Sequence, residues 1–289
     1  MGFLRVSLDI IQNGAANLLR LSRVRDWRGY FGMAFLGLFL NRVPPNFLDA
    51  SIFMLIVSFY LAFAFSVNNC FDVVVDLLDV KDLNKNPVAS GLLVFESAIA
   101  FSLAFLVAGL VLSYIFFGVR SALLFAFLYL LAGLYSVPPV RTKSRPYFDL
   151  LSHGLFFGGL LILAGPTTFG RLTPVTLGIA VVLFFYSMFL EIRNHTDDYE
   201  FDKLSGTRTT VVHLGLEASE RLKRVLALIT IISLYVTLIA TNKHVTLLIT
   251  TIALSLLVLL GLSEDRTVDF TVVASMLFLL LEQSNLIVV

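Results

Sequence analysis

Apolar residues run along this chain in long unbroken stretches, and polar residues gather in the short intervals between them. A helix needs about 20 apolar residues to cross a hydrocarbon core of about 30 Å. On that scale the runs predict nine spans, at approximately 27–41, 47–68, 92–117, 119–137, 147–166, 174–194, 221–241, 244–262 and 268–288. The runs are continuously apolar and do not alternate with a period of two, which predicts helices and excludes barrel strands. The expected fold is all-α and integral to the membrane, with nine transmembrane helices bundled around a central cavity. Residues 1–26 carry short apolar runs broken by Asp9, Gln12 and Asn13, the pattern of an amphipathic helix lying on the membrane face.

Two of the apolar runs end in a polar pattern of the same period. Asn68, Asp72 and Asp76 follow one another in steps of four, and so do Asn194, Asp198 and Asp202. Steps of four on a helix turn about 400°, so each trio lies along one slowly drifting stripe. Four expected crossings separate the two stripes, and an even number returns the chain to the same side. A bundle that joins these helices therefore points both stripes at one cavity. Stripes that leave the membrane on the same side predict a parallel repeat, with pseudo-repeats at 27–146 and 147–262 and a final helix, all within one domain over 1–289.

Composition supports this picture: 58% of the 289 residues are hydrophobic and 14% charged, against roughly 25% charged in soluble domains, and mean hydropathy is +0.90. A net charge of +1 with no basic tail gives no footprint for nucleic acid, so the surrounding partner is the bilayer. A single cysteine, Cys70, excludes an intrachain disulfide or a cysteine metal cluster. Of the 21 Lys and Arg residues all but Arg42, Arg120, Arg171 and Lys243 fall on the side that carries the stripes. The positive-inside rule makes that side cytoplasmic, with the N-terminus inside, the C-terminus outside and the cavity open to the cytoplasm of a multi-pass cell-membrane protein.

Four close carboxylates cannot all stay ionised without cations between them, and near helix C-termini the dipole opposes them as well. An oxygen-only donor set points to a hard ion, Mg²⁺ with Mn²⁺ or Ca²⁺ as alternatives. Mg²⁺ is held by a few carboxylates together with substrate phosphates, so a diphosphate is the natural ligand to bridge the stripes. Asn68 and Asn194 add a carbonyl ligand or orient a neighbouring carboxylate. Lys81, Lys85, Arg141, Lys143, Arg145 and Arg208 lie in the adjoining connections. Lys143 is favoured among them because Pro138 and Pro139 fix the turn that aims it. Tyr135 stands at the same mouth. Asp79, Asp82, Asp197 and Glu200 fall off the stripes and read as solvated acids. His153, inside an apolar run, is an ionisable group at membrane depth and is flagged as functional; Glu191 and Arg193 read as pairing with each other or with neighbours across the bundle.

Asn68-Asn69-x-x-Asp72-x-x-x-Asp76, Asn86-Pro87-x-x-Ser90-Gly91, Tyr135-Ser136-x-Pro138-Pro139-x-Arg141-x-Lys143 and Asp198-x-x-x-Asp202 with Gly206-Thr207-Arg208 stand in this order along the chain. Together they resemble the signatures of the UbiA superfamily of intramembrane prenyltransferases. Asn69 stands where the family pattern has an acid, and Asn86 where it has an arginine. The resemblance implies Mg²⁺-dependent transfer of a polyprenyl group from its diphosphate to a lipophilic acceptor, an aromatic quinone precursor or a polar-lipid alcohol. Two ions are expected on Asp72, Asp76, Asp198 and Asp202 with Asn68 in support. Substrate would be held by Asn68, Lys81, Lys85, Tyr135, Arg141, Lys143, Asn194 and Arg208. The rival reading is a cation-coupled transporter using the same carboxylates as its ion site; the near absence of charge at mid-span disfavours it.

Overall fold

The structure, a computed structural model, describes residue 14 and residues 16–40, 45–170 and 172–283; Arg5, Arg42, Arg171 and most of the expected N-terminal interfacial helix lie outside them. Within that helix residues 16–21 are helical and a 3₁₀ turn follows at Val24–Asp26.

Long helices follow the apolar runs: α1 (Arg28–Phe39), α2 (Phe47–Phe71), α3 (Phe95–Ser136), α4 (Phe148–Phe169), α5 (Pro174–Asp197), α6 (Leu216–Ala240), α7 (His244–Leu259) and α8 (Glu264–Gln283). Their starts are written locally. Asn46 caps α2 by accepting from the Asp49 N–H at 2.9 Å. Thr173 and Thr176 form a capping box at α5, with Pro174 in the first turn where a missing N–H does no harm.

Among the described residues five helices, α2 to α6, are long and apolar enough to cross a membrane. This differs from the nine expected spans in an instructive way. The expected pair 92–117 and 119–137 forms two helices that meet at a kink within one run of 42 residues, which at 1.5 Å per residue would be about 63 Å if straight, twice a hydrocarbon core. Gly118 breaks it with φ 76°, a conformation only glycine adopts freely. The helices at the first and eighth expected spans are shorter, at 12 and 16 residues.

Two apolar clusters fill the interior. One joins α2, α3 and α4 around Phe53, Tyr60, Phe125, Phe156 and Leu161. The other joins α5, α6 and α8 around Ile179, Leu183, Phe189, Leu234 and Val272. α4 lies between them. Its middle, Gly154–Gly159, is a π-helical stretch that lets it press on α5: a Cβ built on Gly158 would stand 2.3 Å from the Leu183 carbonyl oxygen. The outward faces carry exposed Ile115, Leu123, Val236 and Leu256, as lipid contact requires.

Candidate active site

The two acidic stripes meet, although neither lies on an uninterrupted helix. α2 stops at Phe71, Asp72 leaves helical geometry at φ −98°, ψ 9°, and a short helix Val73–Asp76 resumes. α5 stops at Asp197, Asp198 sits at φ −93°, ψ 5°, and Tyr199–Ser205 resumes. The i→i+4 backbone bonds nevertheless pass through both breaks: Asp72 N to Asn68 O at 2.9 Å, Asp76 N to Asp72 O at 2.9 Å, Asp198 N to Asn194 O at 3.0 Å and Asp202 N to Asp198 O at 2.9 Å. The spacing of four therefore survives while each arm turns inward.

Both arms line one cavity of about 400 Å³. Its polar end holds Asn68, Asp72, Asp76, Asp79, Asp82, Lys85, Lys143, Asn194, Asp197, Asp198 and Asp202, with Arg23 and Asp26 entering from the N-terminal segment. Its inner walls are Tyr30, Phe65, Tyr135, Phe156 and Phe157, with His153, Glu191 and His195. Tyr30 stacks on Phe157 with ring centroids 4.2 Å apart.

Cations already hold two of the carboxylates. Asp72, 1% exposed, takes Arg141 Nη2 at 3.0 Å and an ion pair from Lys143 Nζ. Arg141 lies behind the cavity wall in a left-handed conformation. Burial alone would lower the Lys143 pKa, but attraction and hydrogen bonding to Asp72, with Asp76 and Asp202 behind it, hold it above its ordinary value. Asp76 takes Arg23 Nη2 at 3.1 Å and Asn86 Nδ2 at 2.7 Å. Burial raises its pKa against the pull of Arg23.

Among the described residues the second arm has no such cation partners. Asp202 Oδ2 is buried without a hydrogen-bond partner among them, and burial raises this carboxyl's pKa despite His195 and Lys143. Asp198 is raised to about 6 by burial and then by the nearby charges of Asp82 and Asp202. Asp79, Asp82 and Asp198 each offer an oxygen, all within 4.8 Å of one another. A buried orphan oxygen beside three converging carboxylates is a donor set that fits a hard divalent cation.

Some expected residues fall elsewhere. Lys81 and Arg208 are exposed and do not line the cavity. Lys81 is fixed outward because its N–H donates to the Asp79 side chain at the start of Val80–Lys85. Arg208 lies between the left-handed turn at Gly206 and the cap at Thr209, which carry the chain past the mouth. Lys85 lines the mouth and pairs with Asp82 at 3.1 Å. Asn68 donates to Ser136 Oγ at 3.4 Å, and Asn194 to Glu191 Oε2 at 3.3 Å. Tyr135 donates to Glu191 Oε1. Sequence reasoning set Asp79, Asp82 and Asp197 aside, yet all three line the cavity; Arg23 it counted only as a surface charge. Asn69 and Asn86 are buried against each other, Asn86 Nδ2 donating to Asn69 O at 2.8 Å. Arg23 Nε donates to Asn69 Oδ1 at 2.7 Å, so a cation from outside either motif serves this corner.

Comparison with known proteins places this geometry. The digeranylgeranylglyceryl phosphate synthase of Sulfurisphaera tokodaii is 24% identical over 187 residues, 63% of this chain; the match spans 64% of that relative's length. The structure of a UbiA homolog from Archaeoglobus fulgidus bound to DMAPP and Mg²⁺ superposes with a TM-score of 0.73 at 24% identity, covering 94% of this chain and 99% of that one. The same homolog bound to GPP and Mg²⁺ gives 0.73 at 23% identity, covering 94% and 100%. The family model of the UbiA prenyltransferase family matches residues 30–279, nearly all of the helical bundle, and the chain is a multi-pass membrane protein that belongs to the UbiA prenyltransferase family.

Proposed function

We propose that this chain is a membrane prenyltransferase that moves a polyprenyl group from its diphosphate to the hydroxyl of a polar-lipid acceptor, with Mg²⁺ bound by the acidic arms. The carrying observation is the pair of matched arms, Asn68/Asp72/Asp76 and Asn194/Asp198/Asp202, facing each other across a cavity whose inner walls are aromatic. The relative named for digeranylgeranylglyceryl phosphate synthesis supports an alcohol acceptor over a quinone-precursor ring. Structures of the homolog with Mg²⁺ and a prenyl diphosphate support the donor and the metal.

In this reading Asp72, Asp76, Asp198 and Asp202, helped by Asn68, Asp79 and Asp82, hold two ions. When bound, these supply charge neutralisation for the departing diphosphate. Lys143 leaves Asp72 for the diphosphate and Lys85 leaves Asp82, while Arg141 keeps Asp72 in place. The faces of Tyr30, Phe65, Phe156 and Phe157 shelter the allylic carbon from water and stabilise positive charge on it through their ring quadrupoles. Nine crossings, counting α3 as two, are read with the arms on the cytoplasmic side and the N-terminus inside; the basic connections support that orientation.

The test is purified protein in detergent with radiolabelled geranylgeranyl diphosphate, Mg²⁺ and a panel of glyceryl and phenolic acceptors. Transfer abolished by a chelator and restored by Mg²⁺ is expected. Failure to bind or turn over any prenyl diphosphate in the presence of Mg²⁺ sinks the reading.

A further inference from the structure

The inner wall of the cavity carries titratable groups that neither the metal nor the diphosphate uses. His153 stands at the end of the first stretch of α4, where the π-helical turn begins, and is 3% exposed while lining the cavity. Irregular turns of this kind in a helix recur at functional sites because they re-aim side chains. Its Nδ1 faces Ser187, with the carbonyl oxygen at 3.2 Å and Oγ at 2.9 Å. With a hydrogen on Nδ1 donated to that carbonyl, the lone pair sits on Nε2 at the other side of the ring. Nε2 is 3.3 Å from Glu191 Oε2 and 3.4 Å from Tyr30 Oη.

Glu191 cannot drift. Its Oε1 accepts from Tyr135 and lies 3.2 Å from His195 Nε2, and Asn194 Nδ2 holds Oε2 at 3.3 Å. His195 Nδ1 in turn lies 3.3 Å from Asp149 Oδ2, and Asp149 is anchored by the N–H of Thr210 at 2.5 Å. Tyr30 from α1, Tyr135 from α3, Glu191 and His195 from α5 and Asp149 from α4 itself are thus the titratable groups that face or back His153. An imidazole with a backbone oxygen against one nitrogen and a fixed carboxylate against the other has acceptors placed for both hydrogens of its protonated form, which favours taking up a proton.

We propose that His153, backed by Glu191, is the base that removes the proton from the acceptor's hydroxyl; this rests on the prenyl-transfer reading above. The C1–O bond of the allylic diphosphate breaks, and its electron pair leaves with the diphosphate. A lone pair of the acceptor oxygen forms the new bond to C1. The hydroxyl proton passes to His153 Nε2, and the imidazolium so formed is neutralised by Glu191 until product release returns the proton to solvent. A cavity that keeps water from the allylic carbon also keeps out any bulk base, so an alcohol acceptor needs one built in. The acceptor hydroxyl is accordingly expected at the deep aromatic end, beneath the carboxylates.

The experiment uses the full-length protein in detergent with radiolabelled geranylgeranyl diphosphate, Mg²⁺ and a glyceryl phosphate ether as acceptor. His153→Gln is expected to lower kcat for transfer by about 10²- to 10⁴-fold and to leave Mg²⁺-dependent binding of the prenyl diphosphate within threefold of wild type. At Mg²⁺ concentrations that saturate the site at every pH, wild type is expected to lose kcat as pH falls and His153 takes a proton; His153→Gln is expected to lack that acid limb. Glu191→Gln keeps the shape of the carboxylate and is expected to lower kcat while also retaining diphosphate binding, so the proposal does not hang on one variant. A melting transition in detergent like that of wild type reports that each variant is folded. If wild type transfers and His153→Gln stays within threefold of it, or keeps the acid limb, the proposal is overturned while the function stands. If wild type transfers to no acceptor, the function itself falls and takes this assignment with it.

Discussion

If Asp72 holds a metal ion as proposed, Lys143 and that ion compete for one carboxylate, and the competition can be measured. Asp72 is buried and is held by Lys143 Nζ and by Arg141 Nη2 at 3.0 Å. At about 3 Å and an effective dielectric constant of about 20, each cation gains about 5.5 kcal/mol of gross attraction. After desolvation about 1.5–3 kcal/mol per charged hydrogen bond survives. A cation that takes Asp72 must displace that much. Lys143→Met keeps the stem and removes the competitor, so Mg²⁺ binding in the absence of diphosphate is expected to tighten by about 10- to 150-fold. Turnover is expected to fall by a similar factor, because the same ammonium is the one proposed to meet the diphosphate. Calorimetric titration with Mg²⁺ and a transfer assay on the same preparation read the two effects in opposite directions. Metal affinity unchanged or weaker in Lys143→Met, or turnover within twofold of wild type, would refute the competition.

Further outcomes are expected. Asp198, raised to about 6, must lose its proton to bind metal, so acidification from pH 7.5 to pH 5.5 is expected to weaken Mg²⁺ binding about fourfold through this group alone; isotherms at the two pH values check it. In metal-free protein the same raised pKa means that the folded state binds the extra proton. Its stability is therefore expected to decline as pH rises from about 4 to 6, in a chelator-containing melt. Asp79→Asn and Asp82→Asn are each expected to weaken metal binding at least tenfold, whereas Lys81→Ala and Arg208→Ala are expected to leave turnover within twofold. Gly158→Ala places a Cβ 2.3 Å from the Leu183 carbonyl oxygen and is expected to destabilise the protein by about 1–3 kcal/mol, read as a lowered melting temperature in detergent.

What the sequence could announce follows from range. Apolar run length is a local quantity, and the helix starts at Asn46 and Thr173 were set by residues within one turn, so helices fell close to the expected bounds. The four-residue period of both stripes was equally local. It outlasted a break in the helix because the i→i+4 bond through Asp72 and Asp198 persists while φ and ψ move. Asp79 and Asp82 were lost at the turn that follows Asp76, beyond which no period connects them to the stripe; only the fold brings Asp198 to them. The break at Gly118 falls where the expected spans 92–117 and 119–137 part, although a single glycine within an apolar run does not disclose its positive φ. His153 stood out in its run, but its partner Glu191 lies on another helix, and their pairing is tertiary. The neutral pair Asn69 and Asn86 reads from sequence as lost charge. In the fold Arg23 occupies that corner from a segment no motif includes.

The off-helix aspartates also bear on ion choice. Because backbone bonds run through Asp72 and Asp198, each acidic arm is a stiff extension of its helix, like the jaw of a caliper. The opening of the caliper is then fixed where the handles are joined, at α4, which is tied to α2 by Tyr60 Oη donating to Phe156 O at 3.2 Å and pressed on α5 at Gly158. On the proposed metal-binding reading, the radius of the cation that fits between the carboxylates is set by van der Waals contacts within the bundle, among residues that never touch it, and discrimination between Mg²⁺ and a larger ion such as Ca²⁺ becomes a property of helix packing as much as of ligand chemistry.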